Sequence, residues 1–260
     1  MYTNWGMVSM KIMPNIRFSR EELERIIFEE RSGRGSEAIV CSGGNPYTLY
    51  KIFINSSNMD IANMSDNKLR KIAALYRLRL AHSVRPLSTI SMDGEVVGYE
   101  MTYNPNYIPI AEATLPRKQM IKVLKETSAA LEYFSSKDIT YGDVKNDNVL
   151  IDIHTGQIEF CDMDNIRLGD NPIDLMNSSL SSYVKARGAI DATADAYMHN
   201  LFALKELGFP SGYTTYEGII MALEKGEYPT KFKEKARPIF ESMTTPQEFN
   251  GEYAIEYIKR

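Results

Sequence analysis

The sequence predicts an α+β protein in which a sheet-rich N-terminal part precedes a mainly helical C-terminal part. Segments such as "EAIVCS", "YTLYKIF" and "EVVGYEMTY" are rich in β-branched and aromatic residues and bounded by turn residues, which predicts strands. Amphipathic stretches predict helices over residues 66–81 and 116–137 and again from residue 191 onward. Strands that cluster before helices, instead of alternating with them, are typical of the α+β class.

The first elements are predicted from local signals. Residues 18–30 begin with Ser19 and Glu22 at the spacing of a helix capping box, although "RIIFEE" fits a strand equally well. The turn "GGNP" joins "EAIVCS" to "YTLYKIF". The dipeptide "DG" joins "RPLSTISM" to "EVVGYEMTY" as a β-hairpin.

The later elements follow from periodicity. In the helix over residues 66–81, three- and four-residue spacing puts apolar side chains on one face and leaves Lys68 and Lys71 outside. A proline opens the helix over residues 116–137. The segment "NVLIDIHTGQIEFCD" then predicts another hairpin, turning at residues 154–157.

The length of 260 residues suits one large domain or two lobes that share a cleft. We expect an N-terminal extension (1–22), a first lobe built on the sheet (23–103) and a reduced, helical second lobe (104–260). The formal net charge of −4 gives no indication of binding to nucleic acid or to a membrane surface.

The cysteines and the N-terminus bear on location. Cys41 and Cys161 are too few for a disulfide framework and indicate two buried thiols in a reducing compartment. No apolar run approaches the ~20 residues that span a bilayer. The N-terminus lacks the basic start and apolar core of a signal peptide. We therefore expect a cytoplasmic protein.

Two glycines and a strand lysine form a candidate binding segment. Gly33 and Gly35 flank Arg34 just before a predicted strand, where backbone N–H groups can approach a phosphate closely. No helix follows the glycines, which excludes a dinucleotide-binding motif, and no Gly-Lys-Ser/Thr follows, which excludes a P-loop. Lys51 lies in the second strand of the next hairpin, either as a functional cation or as an edge lysine that extends to the solvent.

The segment "YGDVKNDNVLID" concentrates polar groups ahead of a strand. Asp143, Lys145 and Asn148 lie in a short loop, and the next hairpin brings Asp162 back towards them. An Asn and an Asp supply the oxygen ligands that Mg²⁺ prefers. A separate Asp can orient a nucleophilic hydroxyl, and a Lys can neutralise charge on a transferred phosphoryl group. The alternative is a polar turn that caps the strand.

In this order, the segments resemble the protein-kinase fold. "YGDVKNDN" is similar to the kinase catalytic loop, "FCDMDN" to the metal-binding segment, "GRGSEA" to the Gly-rich loop and "TLYKIF" to the strand with the phosphate-pairing lysine. "VVGYEMTYNP" resembles the strand into the hinge, and "DATADAYMHNLFAL" resembles the start of the central helix of the second lobe. The resemblance implies a bilobal fold, with an antiparallel sheet and one helix in the first lobe and mainly helices in the second.

The resemblance also implies a role for each candidate residue. It makes Asp143 and Lys145 catalytic, Asn148 and Asp162 the ligands of Mg²⁺, and Asp195 a brace for the catalytic loop. The residues it assigns to ATP binding are Gly33, Gly35, Lys51, Met101, Thr102 and Tyr103. Within the resemblance the methionine is the gatekeeper, and the backbone of Thr102–Asn104 contacts adenine.

Several positions depart from the kinase pattern. Tyr141 and Gly142 replace the His and Arg before the catalytic aspartate, so the partner of a phosphorylated activation loop is missing. In the kinase pattern a Phe-Gly pair follows the metal-binding aspartate. Asp164 is one of the two residues that replace this pair, and it is an additional candidate metal ligand. The helix after the strand lysine holds no Glu, which leaves Asp66 either as the acid of the usual ion pair or as an ordinary acid in a first helical turn.

We therefore predict an ATP- and Mg²⁺-dependent phosphotransferase, similar to a divergent serine/threonine protein kinase of bacterial or phage type. It would transfer the γ-phosphoryl group to a hydroxyl on an unknown protein or small molecule. A small-molecule kinase of the aminoglycoside or choline phosphotransferase type is the first alternative, favoured by the Gly-Asp pair and the reduced second lobe. A nucleotide-binding pseudokinase or scaffold is the second, favoured by the missing helix Glu and the altered Phe-Gly pair.

Overall fold

The computed structural model describes residues 13–29, 31–35, 37–190 and 193–206. The chain divides into two compact units, Met1–Pro105 (unit 1) and Asn106–Arg260 (unit 2). A sheet and several helices are present, as expected for the α+β class. No helix within the described ranges is long and apolar enough to cross a membrane. The helices predicted beyond residue 206 lie outside the described residues.

Unit 1 is built on one sheet. Its elements are β1 (Asn15–Phe18), α1 (Arg20–Glu29), β2 (Arg31–Arg34), β3 (Ala38–Ser42), β4 (Thr48–Phe53), α2 (Asp66–Leu78), β5 (Pro86–Met92) and β6 (Glu95–Thr102). The strands are ordered β1-β5-β6-β4-β3-β2. Neighbours pair antiparallel, except that β1 and β5 are parallel. The core consists mainly of apolar side chains from the sheet and α1, among them Leu23, Ile39, Cys41, Ile52, Ile90 and Val97.

Local signals in unit 1 are confirmed. Ser19 N donates to Glu22 Oε2 at 2.7 Å and Glu22 N donates to Ser19 Oγ at 3.2 Å, which is the predicted capping box. The helix rather than the strand therefore forms at this point. Asp93 and Gly94 both have positive φ and close the β5–β6 hairpin.

Two expectations for unit 1 are corrected. The strand β1 was not predicted, lies in the stretch expected to be an extension, and makes the sheet mixed because it pairs parallel to β5. The predicted outer face of α2 is also wrong, because Lys68 is 6% exposed and Lys71 is fully buried, on the same side as Ile72 and Leu75. The helical period was right, but Lys was assigned to the solvent side on polarity alone.

Unit 2 combines helices with short strands. Its elements are β7 (Tyr107–Pro109), α3 (Arg117–Ser135), β8 (Ile139–Thr140), β9 (Val149–Asp152), β10 (Ile158–Phe160), β11 (Arg167–Leu168), α4 (Ser178–Arg187) and α5 (Ala194–Glu206), with 3-10 turns at Ile110–Glu112 and Met163–Asn165. The strands form a three-stranded sheet, β10-β9-β7, and a pair, β11-β8. The predicted helix α3 and the β9–β10 hairpin are confirmed.

An aromatic cluster joins α3, β10 and the end of β8. The Phe160 ring meets Phe134 at 5.3 Å and Tyr141 at 4.8 Å, both edge to face. Such pairs add about 0.5–1.5 kcal/mol each beyond the burial of apolar area. The cluster fixes the point where the loop with the candidate catalytic residues leaves β8.

Candidate active site

The loop between β8 and β9 brings three predicted residues together around one carboxylate. Asp143 Oδ2 accepts hydrogen bonds from Lys145 Nζ at 2.8 Å and from Asn148 Nδ2 at 2.7 Å. Asn148 Nδ2 also donates to the Asp143 backbone oxygen at 3.1 Å. Asn148 is buried and Lys145 is exposed, so the group has an inner amide and an outer ammonium. A polar turn that merely caps a strand does not require this convergence on a single carboxylate.

Asn177 completes the cluster and was not predicted. Its Nδ2 donates to Asp143 Oδ1 at 2.6 Å and to the Gly142 oxygen at 3.2 Å. Its Oδ1 accepts from Leu180 N at 2.8 Å and caps α4. An Asn ahead of "SSLSSYVKAR" signals a helix N-cap, but a contact across 34 residues leaves no local signal. Both oxygens of the Asp143 carboxylate are therefore held by side-chain donors.

Asp195 braces this loop from α5, as the resemblance implied. Its Oδ1 and Oδ2 accept from the backbone N–H groups of Gly142 and Tyr141, each at 2.7 Å. Burial raises the pKa of Asp195 to about 6, while the two backbone hydrogen bonds and the charge of Arg167 lower it. The bonds fix the backbone just before Asp143, where Gly142 takes a left-handed φ of +76°.

Tyr141 ties the loop to the segment that carries Asp162. Its hydroxyl donates to the Cys161 carbonyl oxygen at 2.6 Å, and Cys161 N donates to the Asn148 oxygen at 3.0 Å. Burial raises the pKa of the Tyr141 phenol well above its ordinary value, so the hydroxyl keeps the proton that it donates. These bonds bring the residue before Asp162 against Asn148. Cys161 is only partly buried, whereas the composition predicted a buried thiol.

The predicted metal ligands have the chemistry that Mg²⁺ requires. Asn148 uses its amide nitrogen for Asp143, so its amide oxygen is the atom suited to a cation. Asp162 is exposed and has a φ of +54°, and Asp164 is 2% exposed in the 3-10 turn that follows. Within the described residues, no three His, Cys, Asp or Glu side chains form a closed metal cluster. An open Mg²⁺ site of one or two protein ligands and substrate phosphates does not need one.

Lys51 lies in the interior of unit 1. β4 pairs with both β3 and β6, Lys51 is 8% exposed, and its Nζ lies 5.8 Å from the Phe53 ring centre. The alternative of a solvent-reaching edge lysine is therefore wrong. At Gly33 and Gly35 a Cβ atom would meet nothing closer than 4.0 Å and 3.7 Å. The contacts of the chain itself therefore do not require glycine at these two positions.

Two N–H groups of the segment predicted to contact adenine are already hydrogen-bonded. Thr102 N donates to the Arg85 oxygen and Tyr103 N to the Tyr47 oxygen, both at 2.8 Å. An adenine ring here would meet carbonyl oxygens and side chains rather than these N–H groups. Met101 is buried in β6.

Asp66 is the exposed first residue of α2, which Ser65 caps by accepting from Lys68 N at 3.2 Å. An acid in this position complements the helix dipole. On α2, Lys68 instead forms an ion pair with Glu37, with Nζ and Oε2 2.8 Å apart. Neither residue of that pair was singled out in the sequence.

Comparison of the chain with known protein families found no matching family, and comparison with curated proteins found no match either.

Proposed function

We propose that this protein is an ATP- and Mg²⁺-dependent phosphotransferase with a bilobal, protein-kinase-like fold. The observation that carries the proposal is the Asp143 carboxylate, which Lys145, Asn148 and Asn177 hold between 2.6 and 2.8 Å in a loop braced by Asp195. A carboxylate held in one orientation beside an ammonium is suited to receive a proton next to a developing phosphate charge.

In the proposed reaction, Asp143 accepts a hydrogen bond from the acceptor hydroxyl. It takes the proton as the hydroxyl oxygen bonds to the γ-phosphorus, while the bond from that phosphorus to the bridging oxygen breaks and ADP leaves. Lys145 donates to the oxygens of the transferred group and stabilises their charge. Lys51 is assigned to the α- and β-phosphates, and the segments with Gly33 and Gly35 to the backbone contacts of the phosphate chain.

Asn148 and Asp162 are the residues proposed to hold Mg²⁺, which would neutralise charge on the phosphates when bound. The role of Asn148 in orienting Asp143 is separate and needs no cation, because its amide nitrogen makes that bond. Asp164 is kept as a further candidate ligand. Its burial in the turn after Asp162 suits a carboxylate that supports the exposed one.

The test is incubation of the purified full chain with γ-labelled ATP and Mg²⁺, with and without a panel of proteins and hydroxylated small molecules. Label on protein supports a protein kinase, and label on a small molecule supports the aminoglycoside or choline phosphotransferase type. ATP binding with no transfer of label in any condition would overturn the phosphotransferase and leave the pseudokinase. An Asp143→Asn protein that transfers label at the wild-type rate would overturn the assigned role of this carboxylate.

A further inference from the structure

The helix α2 directs lysines into unit 1. Lys68 is 6% exposed and Lys71 is fully buried, beside apolar residues such as Ile72 and Leu75. Removing an ammonium group from water costs free energy unless a negative group faces it. A buried lysine on this face of α2 therefore marks a position that favours an anion.

The side chains of Lys68 and Lys51 both lie beside the same aromatic ring, that of Phe53. The Nζ of Lys68 lies 4.7 Å from the centre of the Phe53 ring, and the Nζ of Lys51 lies 5.8 Å from it. The ring face attracts both cations. Because both ammonium groups lie near one ring, an anion with several negative oxygens can contact both.

Glu37 supplies a negative charge to Lys68 in this structure. The two side chains meet at 2.8 Å, but the Lys68 side chain is 8% exposed and that of Glu37 is 39% exposed. The acid therefore approaches from the solvent side. Its backbone is fixed, because Ile54 N donates to the Glu37 oxygen and Gly35 N donates to the Ala38 oxygen, both at 2.9 Å. The Glu37 side chain can rotate away from Lys68 while this backbone stays in place.

We propose that Lys68 and Lys51 together form a polyphosphate-binding site in unit 1, and that Glu37 covers Lys68 until a di- or triphosphate replaces it. A phosphate chain carries more charge than one carboxylate and makes stronger charge-assisted hydrogen bonds. Glu37 regains its hydration when it is released, which lowers the cost of the exchange. The inference rests on the proposed function for the identity of the ligand as a nucleotide, and it adds a second lysine to its phosphate contacts.

The experiment measures binding of ATP, ADP, adenosine and inorganic tripolyphosphate to the full chain by calorimetry, for wild type, Lys68→Met and Glu37→Gln. Arg70→Met is the matched control, because Arg70 is an exposed cation on the same helix. We expect Lys68→Met to weaken ATP and tripolyphosphate at least tenfold and to leave adenosine unchanged. Glu37→Gln should tighten ATP and tripolyphosphate several-fold because it removes the competing charge. Arg70→Met should match wild type.

The opposite results overturn the site. Wild-type affinity for ATP in Lys68→Met refutes a phosphate contact by Lys68. Weaker binding in Glu37→Gln shows that the ion pair only supports the fold. If Lys68→Met does not fold, Lys68→Arg with retained affinity and Glu37→Gln with increased affinity still support the site, and loss of affinity in both refutes it.

Different results would overturn the polyphosphate site and the proposed phosphotransferase function. A wild-type protein that binds ATP and tripolyphosphate through Lys68 but transfers no phosphoryl group keeps this site and overturns the phosphotransferase. A protein that transfers phosphoryl groups equally well with and without Lys68 keeps the phosphotransferase and overturns this site. A wild-type protein that binds neither ATP nor tripolyphosphate overturns the site.

Discussion

Asn177 allows a direct test of how Asp143 is positioned, because its amide nitrogen and its amide oxygen bond to different groups. The amide nitrogen donates to Asp143 Oδ1 at 2.6 Å, and the amide oxygen caps α4 by accepting from Leu180 N at 2.8 Å. Asn177→Ser keeps a capping oxygen but removes the donor to Asp143. Asn177→Asp also keeps the cap and places a second carboxylate against the first.

The expected magnitudes follow from these contacts. A hydrogen bond to a charged group contributes about 1.5–3 kcal/mol. If that bond positions Asp143 for the reaction, its loss lowers kcat about 10- to 100-fold, since about 1.4 kcal/mol corresponds to a factor of ten. Loss of the cap costs about 1 kcal/mol of stability, and it is expected only in Asn177→Ala. In Asn177→Asp the two carboxylates repel each other, so the acid limb of the activity profile moves to higher pH.

The assay is steady-state phosphoryl transfer over a range of pH, together with thermal unfolding of each variant. We expect Asn177→Ser to lose kcat while its KM for ATP stays near wild type, and to melt at a somewhat lower temperature because one hydrogen bond is lost. Asn171→Ser is the control, because that amide lies in the same connection and donates to the Leu168 oxygen at 3.2 Å. Unchanged kcat and pH profiles in both Asn177→Ser and Asn177→Asp would refute the idea that Asn177 positions Asp143.

Three further predictions concern the same loop. Asp143→Asn keeps the shape of the side chain but cannot take a proton, so kcat should fall about 10²- to 10⁴-fold with ATP affinity unchanged. A kcat near wild type would contradict the role of Asp143 as proton acceptor. Gly142→Ala places a Cβ 2.5 Å from Ile173 Cδ1 at a φ of +76°, so denaturant unfolding should show a loss of about 1–3 kcal/mol. Gly188→Ala, at φ +82° with open space around it, should lose less, and equal losses would argue against a clash at Gly142. Asp195 has a folded-state pKa raised from 3.8 to about 6, so its contribution to stability is complete below pH 3.8 and is lost as pH rises through about 6. That loss of stability amounts to about 3 kcal/mol. It is absent in Asp195→Asn, which has no carboxyl group to titrate at this position. A difference in unfolding free energy between the two proteins that stays constant from pH 4 to 7 would refute the prediction.

The parts of the fold that the sequence predicts well are those with a local signal. The Ser19 capping box and the "DG" hairpin each depend on residues within a few positions of one another, and both formed as predicted. The candidate loop residues Asp143, Lys145 and Asn148 span six positions, so their convergence was also predictable.

The parts that failed depend on distant partners. β1 is a four-residue strand whose pairing with β5 spans more than seventy residues. Its residues, Asn-Ile-Arg-Phe, alternate polar and apolar side chains, but four positions are too few to identify a strand beside a helix cap. Lys68 is buried because Glu37, thirty-one residues earlier, meets it. Helical periodicity assigns a lysine to the solvent side, because the pattern contains no information on a partner that is distant in sequence. Asn177 reaches Asp143 for the same reason, through tertiary packing that no local pattern records.

Tyr141 and Gly142, the two residues before Asp143, each have a structural role. Gly142 has a left-handed backbone, which is strained for a residue with a side chain, and a Cβ there would also require the Ile173 side chain to move, because it would lie 2.5 Å from Ile173 Cδ1. Tyr141 is buried and uses its hydroxyl to hold the Cys161 carbonyl. The loop is thus fixed by hydrogen bonds to buried groups.

The connection from β11 to α4 is fixed in a similar way. Asn165 Nδ2 donates to the Leu175 oxygen at 2.7 Å, and its Oδ1 accepts from Asp174 N and Leu175 N. Two residues later, Asn177 reaches Asp143. These amide bonds join the connection to the loop that holds Asp143 within one unit. The arrangement around Asp143 therefore consists of contacts that the folded chain makes with itself.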